Sequence, residues 1–244
     1  MTYYDSRGRP RHYGPVGTTG SAAAIDAGLR DYMMRIYNYM AGGLAMTGIA
    51  AYVAASSGFY QSIVGTPWIW VVMLAPLGFV LALSFGIERM STGTAQMLFW
   101  IYAAVMGISL GGIFLIYTGT SIARVFLITA ATFGAMSLYG YTTNRDLSAI
   151  GSFLLMGLIG VVIASIINIF LGSSTLQFII SIVGVIVFVG LTAYDTQRIK
   201  EMYLGADSTE VASKKAILGA LSLYLDFINL FMLMLQMFGQ RRQE

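Results

Sequence analysis

Long apolar runs alternate with short polar connections along this chain of 244 residues. Seven runs stand out, at about 33–55, 68–87, 95–117, 122–142, 148–171, 176–195 and 216–238. Each is close to the ~20 apolar residues that an α-helix needs to cross a hydrocarbon core of ~30 Å. In lipid only helices and closed barrels satisfy every backbone group. The runs are continuous rather than alternating, so the pattern predicts helices and not the strands of a barrel. From Leu147 to Tyr194 there is no charged residue, and a Gly172-Ser173-Ser174 turn divides that stretch into the fifth and sixth spans. No connection is long enough for a folded soluble domain. The expected fold is therefore an all-α integral membrane protein, with one seven-helix membrane domain over 32–240. Residues 1–31, with Gly8, Pro10, Gly14, Pro15, Gly17 and Gly20, read as a disordered cationic tail. The first apolar run begins too late and is too long for a cleavable signal peptide.

Composition supports the membrane reading. Hydrophobic residues make up 57% and charged residues 10%, against roughly 25% charged in soluble proteins. Cysteine is absent and the one histidine, His12, lies in the tail, where it reads as solvated. Disulfide scaffolds, thiolate chemistry, Cys/His zinc sites and histidine-based triads are excluded together. The net charge of +3 is small, and no basic patch interleaved with aromatics suggests nucleic acid. No cofactor site is expected.

The charges are unevenly placed. Most lie in the tail, in 196–215 and at the C-terminus. The eight elsewhere are Arg35, Glu88, Arg89, Arg124, Arg145, Asp146, Asp195 and Asp226. Arginine and lysine gather in the tail and in the second–third, fourth–fifth and sixth–seventh connections. The positive-inside rule then predicts a cytoplasmic N-terminus. Seven full spans would place Arg241 and Arg242 outside, against that rule, whereas a re-entrant seventh segment would place them inside. The sequence leaves both open.

Asp226 carries the strongest chemical signal, because a carboxyl in mid-membrane is costly and functional by default. Gly219, Ser222, Asp226, Asn229, Leu233 and Gln236 recur three and four apart and share a small, polar helix face. Gly219, Ser222 and Asn229 are candidates to line a polar path. The plainer reading is a protonated aspartate bonding two helices together. Asp195 ends the sixth span, on the same side as the start of the seventh, so the two carboxyls can approach. Such a pair cannot cheaply ionise twice and titrates as a unit. Alternatively, Asp195 pairs locally with Arg198. Arg89 ends the second span on that side, either neutralising the pair or snorkelling with Glu88 as its partner. Gly107-Ile108-Ser109-Leu110-Gly111 matches a nucleophile elbow in form. It lies within an apolar span and has no histidine base, so it reads as a small-residue helix contact. No enzymatic activity is expected.

Two segments resemble one family. Gly190-Leu191-Thr192-Ala193-Tyr194-Asp195-Thr196-Gln197-Arg198-Ile199-Lys200 is similar to the sixth-helix signature of the Bax inhibitor-1 (transmembrane Bax inhibitor motif) family. Ala220-Leu221-Ser222-Leu223-Tyr224-Leu225-Asp226-Phe227-Ile228-Asn229-Leu230-Phe231 is similar to its seventh-helix signature. The resemblance spans roughly 30–240 and implies a bacterial member in which six helices surround a central seventh. It also implies a pH-sensitive calcium leak, with Asp195 and Asp226 as the sensor pair and Arg89, by position, as its latch. Calcium is a hard cation that prefers carboxylate and carbonyl oxygens, so transient contact with the two aspartates fits that chemistry.

Two other readings remain. An intramembrane aspartyl protease also uses two membrane carboxyls, but here Leu223-Tyr224-Leu225 precedes Asp226 and the last proline is Pro76. A non-transporting membrane regulator would bind a partner, such as the membrane-bound protease associated with some bacterial relatives, and the tail is its natural contact. Membrane lipids and calcium are the other expected partners, the bacterial inner membrane is the expected location, and oligomeric state is open.

Overall fold

A computed structural model describes residues 18–242, with side chains from Asp26 onward. The helices are α1 (Thr18–Ser56), α2 (Phe59–Ile63), α3 (Trp68–Gly86), α4 (Thr92–Leu110), α5 (Ile113–Ile116), α6 (Gly119–Thr142), α7 (Ser148–Leu171), α8 (Ser174–Glu201) and α9 (Thr209–Phe238), with a 3₁₀ turn at Ile87–Arg89. Among the described residues there is no strand, and seven helices are long and apolar enough to cross a membrane. The chain is a multi-pass membrane protein. Its outer surface carries large exposed apolar side chains such as Phe85 and Phe170, as a lipid-facing surface requires.

Local chemistry sets the helix starts. The hydroxyls of Ser91, Thr118, Ser173 and Ser208 accept from the backbone N–H three residues on and cap α4, α6, α8 and α9. Gly172 adopts φ 61° and lets the chain turn between α7 and α8, a left-handed conformation that glycine takes without a Cβ clash.

One expectation is corrected and one open question is narrowed. The tail was expected to be disordered through residue 31, but α1 begins at Thr18. Ala22-Ala23-Ala24 favours helix, and Tyr32 and Met33 are already buried in the core. Residues 1–17, with Arg7, Arg9, Arg11 and His12, lie outside the described part. The C-terminal question is the one narrowed. Helix α9 runs unbroken for 30 residues, about 45 Å at 1.5 Å per residue, so it does not re-enter. Beyond it, Thr118 N–H donates to the Gln240 carbonyl at 3.1 Å and Arg242 N–H to the Ile116 carbonyl at 2.9 Å. The C-terminus is thus tied to the α5–α6 connection, on the face opposite the start of α9.

Helix α9 is the axis of the bundle. Of its most apolar stretch 72% is buried, against 11% for α3. It packs chiefly on α1, α4, α6 and α8, while α3 stands outside on α4 and α7 outside on α8. Around α9, α1 packs on α4 and α6 on α8, leaving one opening between α1 and α6 and another between α4 and α8.

Close packing replaces the hydrophobic effect as the force between helices in lipid. The Gly107/Gly111 pair shows how. A Cβ on Gly107 would strike the Thr47 carbonyl and lie 2.7 Å from Ala50 Cβ, and one on Gly111 would lie 2.7 Å from the Tyr60 ring. The serine-elbow segment is therefore the α1–α4 contact.

Candidate functional site: an aspartate pair on the central helix

Helices α8 and α9 run antiparallel and are joined by a connection over 202–208. Lys215 pins that connection, with an ion pair to Asp207 at 2.6 Å and a hydrogen bond to the Met202 carbonyl at 3.1 Å. Both helices run past the ends the hydrophobic pattern indicated. Asp195 therefore lies inside α8 rather than at its end, and Asp226 lies deeper along α9 than a start near 216 implied.

The two carboxyl groups lie within hydrogen-bonding reach of each other. Asp226 is 5% exposed and Asp195 is half-buried. The buried Oδ2 of Asp226 has no hydrogen-bond partner among the described residues, and the Asp195 carboxyl lies close to it. Two carboxyl groups so close together cannot both ionise cheaply.

Arg89 is not part of this constellation. It is exposed at the end of the 3₁₀ turn, and the ion pairs among the described residues are Lys214–Glu210 and Lys215–Asp207. The reason is architectural, since Arg89 rides on the outer helix α3, which packs on α4 and not on α8. Arg198, three residues on along α8, is the cation nearest Asp195 in sequence and is exposed. Of the two local readings for Asp195, the structure brings the Asp226 carboxyl near and shows no ion pair to Arg198 among the described residues.

The candidate path residues divide. Gly219 is buried, and a Cβ there would lie 3.1 Å from Ile199 and 3.2 Å from Ile36, so it closes a helix contact. Ser222 is half-buried. Asn229 is exposed and donates to the Leu225 carbonyl at 2.8 Å. Ser222 and Asn229 belong to the one unburied stripe of α9, with Leu218, Leu225, Met232 and Gln236, which faces the opening between α4 and α8. Among the described residues no three His, Cys, Asp or Glu side chains gather into a metal site.

The neighbours of Asp195 hold the site in place. Tyr194 packs on Gly151, and Ile199 packs on Gly219. Gln197 donates to the Arg145 carbonyl at 2.8 Å and accepts from Leu147 N–H at 2.9 Å. Lys200 donates to the Tyr141 carbonyl at 2.9 Å, at the end of α6. A buried hydroxyl chain, Tyr37–Ser137–Thr196, links α1, α6 and α8 at 2.6 and 2.9 Å. At the opposite end, Asn168 donates to Gln177 at 3.0 Å and Gln177 to Gln236 at 2.6 Å, joining α7, α8 and α9. Sequence reading missed these links. A serine or threonine in a membrane helix commonly bonds its own backbone, so its presence carries no signal of a partner helix.

Comparison with known proteins agrees with this architecture. The family model described as "Inhibitor of apoptosis-promoting Bax1" matches residues 29–243. A Rickettsia prowazekii protein is 51% identical over 226 residues, covering 92% of this chain and 96% of its own. The Escherichia coli (strain K12) "Inner membrane protein YbhL" is 48% identical over 220 residues, covering 88% and 94%. A Streptococcus pyogenes membrane protein is 36% identical over 218 residues, covering 88% and 95%. With both signature aspartates meeting at the central helix, and a family match over nearly all of the described chain, the protein belongs to the Bax inhibitor-1 family.

Proposed function

We propose that this protein is a pH-sensitive calcium leak of the bacterial inner membrane, gated by the proton shared between Asp195 and Asp226. The carboxyl contact between α8 and the central α9 carries this reading. With one proton the pair has a net charge of −1, on which Arg198 acts. A second proton removes that charge, and the charge-assisted contact that ties Asp195 on α8 to Asp226 on α9 becomes a weaker neutral one. Helix α8 then loosens against α9, and calcium passes down its gradient along the polar stripe that includes Ser222 and Asn229. Loss of the second proton restores the closed contact. Carboxylate and amide oxygens are suitable transient ligands for a hard cation. Calcium is the cargo, no bound cofactor takes part, and the protein is not an enzyme.

Orientation and location belong to the same proposal. The face where α9 begins carries Arg89, Arg145, Arg198, Lys200, Lys214 and Lys215, so by the positive-inside rule it is cytoplasmic, as is the N-terminus. The name of the Escherichia coli relative supports an inner-membrane location. The test is calcium flux into dye-loaded liposomes as a function of pH, for wild type, Asp195→Asn and Asp226→Asn. Both variants should flatten or displace the pH profile. Wild-type flux and an unchanged profile in both would sink the gate.

A further inference from the structure

The opening between α1 and α6 is a cavity of about 1260 Å³, floored by Phe227 and Phe231 of α9. It exceeds the ~300–1,000 Å³ of ordinary small-molecule pockets. Its walls are small: Ala41, Ala45 and Gly48 on α1 face Ala130 and Gly134 on α6. Small residues normally mark faces where membrane helices touch, yet the α1 and α6 backbones stand apart here, bridged by the Tyr37–Ser137 hydroxyl pair. A Cβ on Gly48 or Gly134 would meet nothing within 4 Å. The helices stand apart around a volume that their side chains do not fill.

The lining is apolar for most of its length and cationic at one mouth. Arg30 lies there, on the face where α1 begins, together with Tyr141 at the end of α6. Behind Tyr141 stands Lys200, its ammonium 5.4 Å from the ring centroid. No carboxylate lines the cavity, and Arg30 has no ion pair among the described residues. Asp31, its neighbour in sequence, borders a separate pocket with Arg35. An apolar trench with a cation, Arg30, at its mouth matches one amphiphile, with an anionic head at the mouth and acyl chains within.

We propose that the α1–α6 groove is a binding site for one anionic phospholipid, its phosphate at Arg30 and its acyl chains against Phe227 and Phe231. Basic pockets between membrane helices recognise lipid heads in this way. The lipid then touches the central helix one residue from Asp226 without being part of the aspartate pair.

The test is native mass spectrometry of the full chain released from micelles. The micelles are loaded with phosphatidylglycerol or with phosphatidylcholine of the same acyl chains. Wild type should retain phosphatidylglycerol about fivefold better, the value of one arginine near the membrane surface. Arg30→Gln should abolish that preference, and Gly134→Phe should cut retention of both lipids. Gly48→Leu fills the same groove from the other wall and serves if the first variant fails to fold. Equal retention of the two lipids by wild type overturns the proposal. So does undiminished retention in a folded groove-filling variant, because the lipid would then lie elsewhere.

Discussion

The rotation of α9, and with it the direction of Asp226, depends on a buried contact two residues earlier. Tyr224 is 0% exposed, and its hydroxyl lies 2.7 Å from that of Thr47 on α1. Thr47 Oγ1 is also 2.9 Å from the carbonyls of Gly43 and Ala103. Thr47 has one proton to give, and when it goes to a carbonyl, Tyr224 is the donor in the hydroxyl pair. In Thr47→Val the Tyr224 hydroxyl is left buried without an acceptor. Stranding such a group costs about 1–3 kcal/mol. Interhelical hydrogen bonds in membranes fall at the low end, averaging ~0.6 kcal/mol, so the expected loss is roughly 1–2 kcal/mol. For a protein of this size each kcal/mol moves Tm by ~2–4 °C. Thermal unfolding in detergent should therefore show Thr47→Val lower by about 2–8 °C. Tyr224→Phe removes the stranded group, so the double variant Thr47→Val/Tyr224→Phe should recover most of the loss. A double variant at least as unstable as Thr47→Val alone would refute this account of the contact.

Other outcomes follow from the same geometry. Gly107→Val should force α1 from α4 and cost about 1–3 kcal/mol as overpacking, visible as a lower Tm, whereas an unchanged Tm would mean the two backbones are not in contact there. Arg89→Gln should leave the pH profile of calcium flux where it is and Arg198→Gln should displace it; the reverse result would restore Arg89 as the latch. Asp146, in the α6–α7 connection, has its carboxyl held below the usual range by the hydroxyl and N–H of Ser148. Because its folded value is lowered, its stabilisation is present above the ordinary carboxylate pKa of ~3.9 and is lost as pH falls through the folded value. Protection of the amides across 143–148, referenced to the intrinsic exchange rate at each pH, should thus hold at neutral pH and fall under strong acid, while Asp146→Ala should be less protected already at neutral pH.

The spans were legible because burial in lipid imposes one simple requirement, a long apolar helix, and composition reports it directly. The aspartates were legible for the converse reason, since a carboxyl has no inexpensive place in such a helix. Arg89 was misjudged because its level in the membrane could be read from the sequence but its direction around the bundle could not. A helix end on the same face as the aspartates can still turn its side chain outward, as Arg89 does. Gly219 failed similarly. Its spacing placed it on the face of Asp226, but Ile199 and Ile36 fill the space beside it, and their approach depends on how three helices cross. The hydroxyl and amide links were invisible because each member also has a plausible local partner.

The packing around α9 gives the proposed gate a direction. Three sides of the helix are held by side chains that cannot shift independently. Tyr224 bonds Thr47 and meets Phe99 and Tyr102 edge-on, while Phe227 packs against Phe126 and Phe133. On the α8 side the contacts are of another kind: the approach of Asp195 to Asp226, Gly219 against Ile199, Leu233 against Gly184, and Gln236 bonded to Gln177 and Ser181. Of these, only the aspartate contact changes charge with pH. It also borders the unburied stripe of Ser222 and Asn229, so loosening α8 joins the pair to that stripe. A separation of α9 from α1 or α4 would instead break the Thr47–Tyr224 bond and open onto aromatic side chains with little affinity for a hard cation. In the proposed gate the side of α9 that carries the aspartate contact is therefore also the side along which an ion would find oxygen ligands.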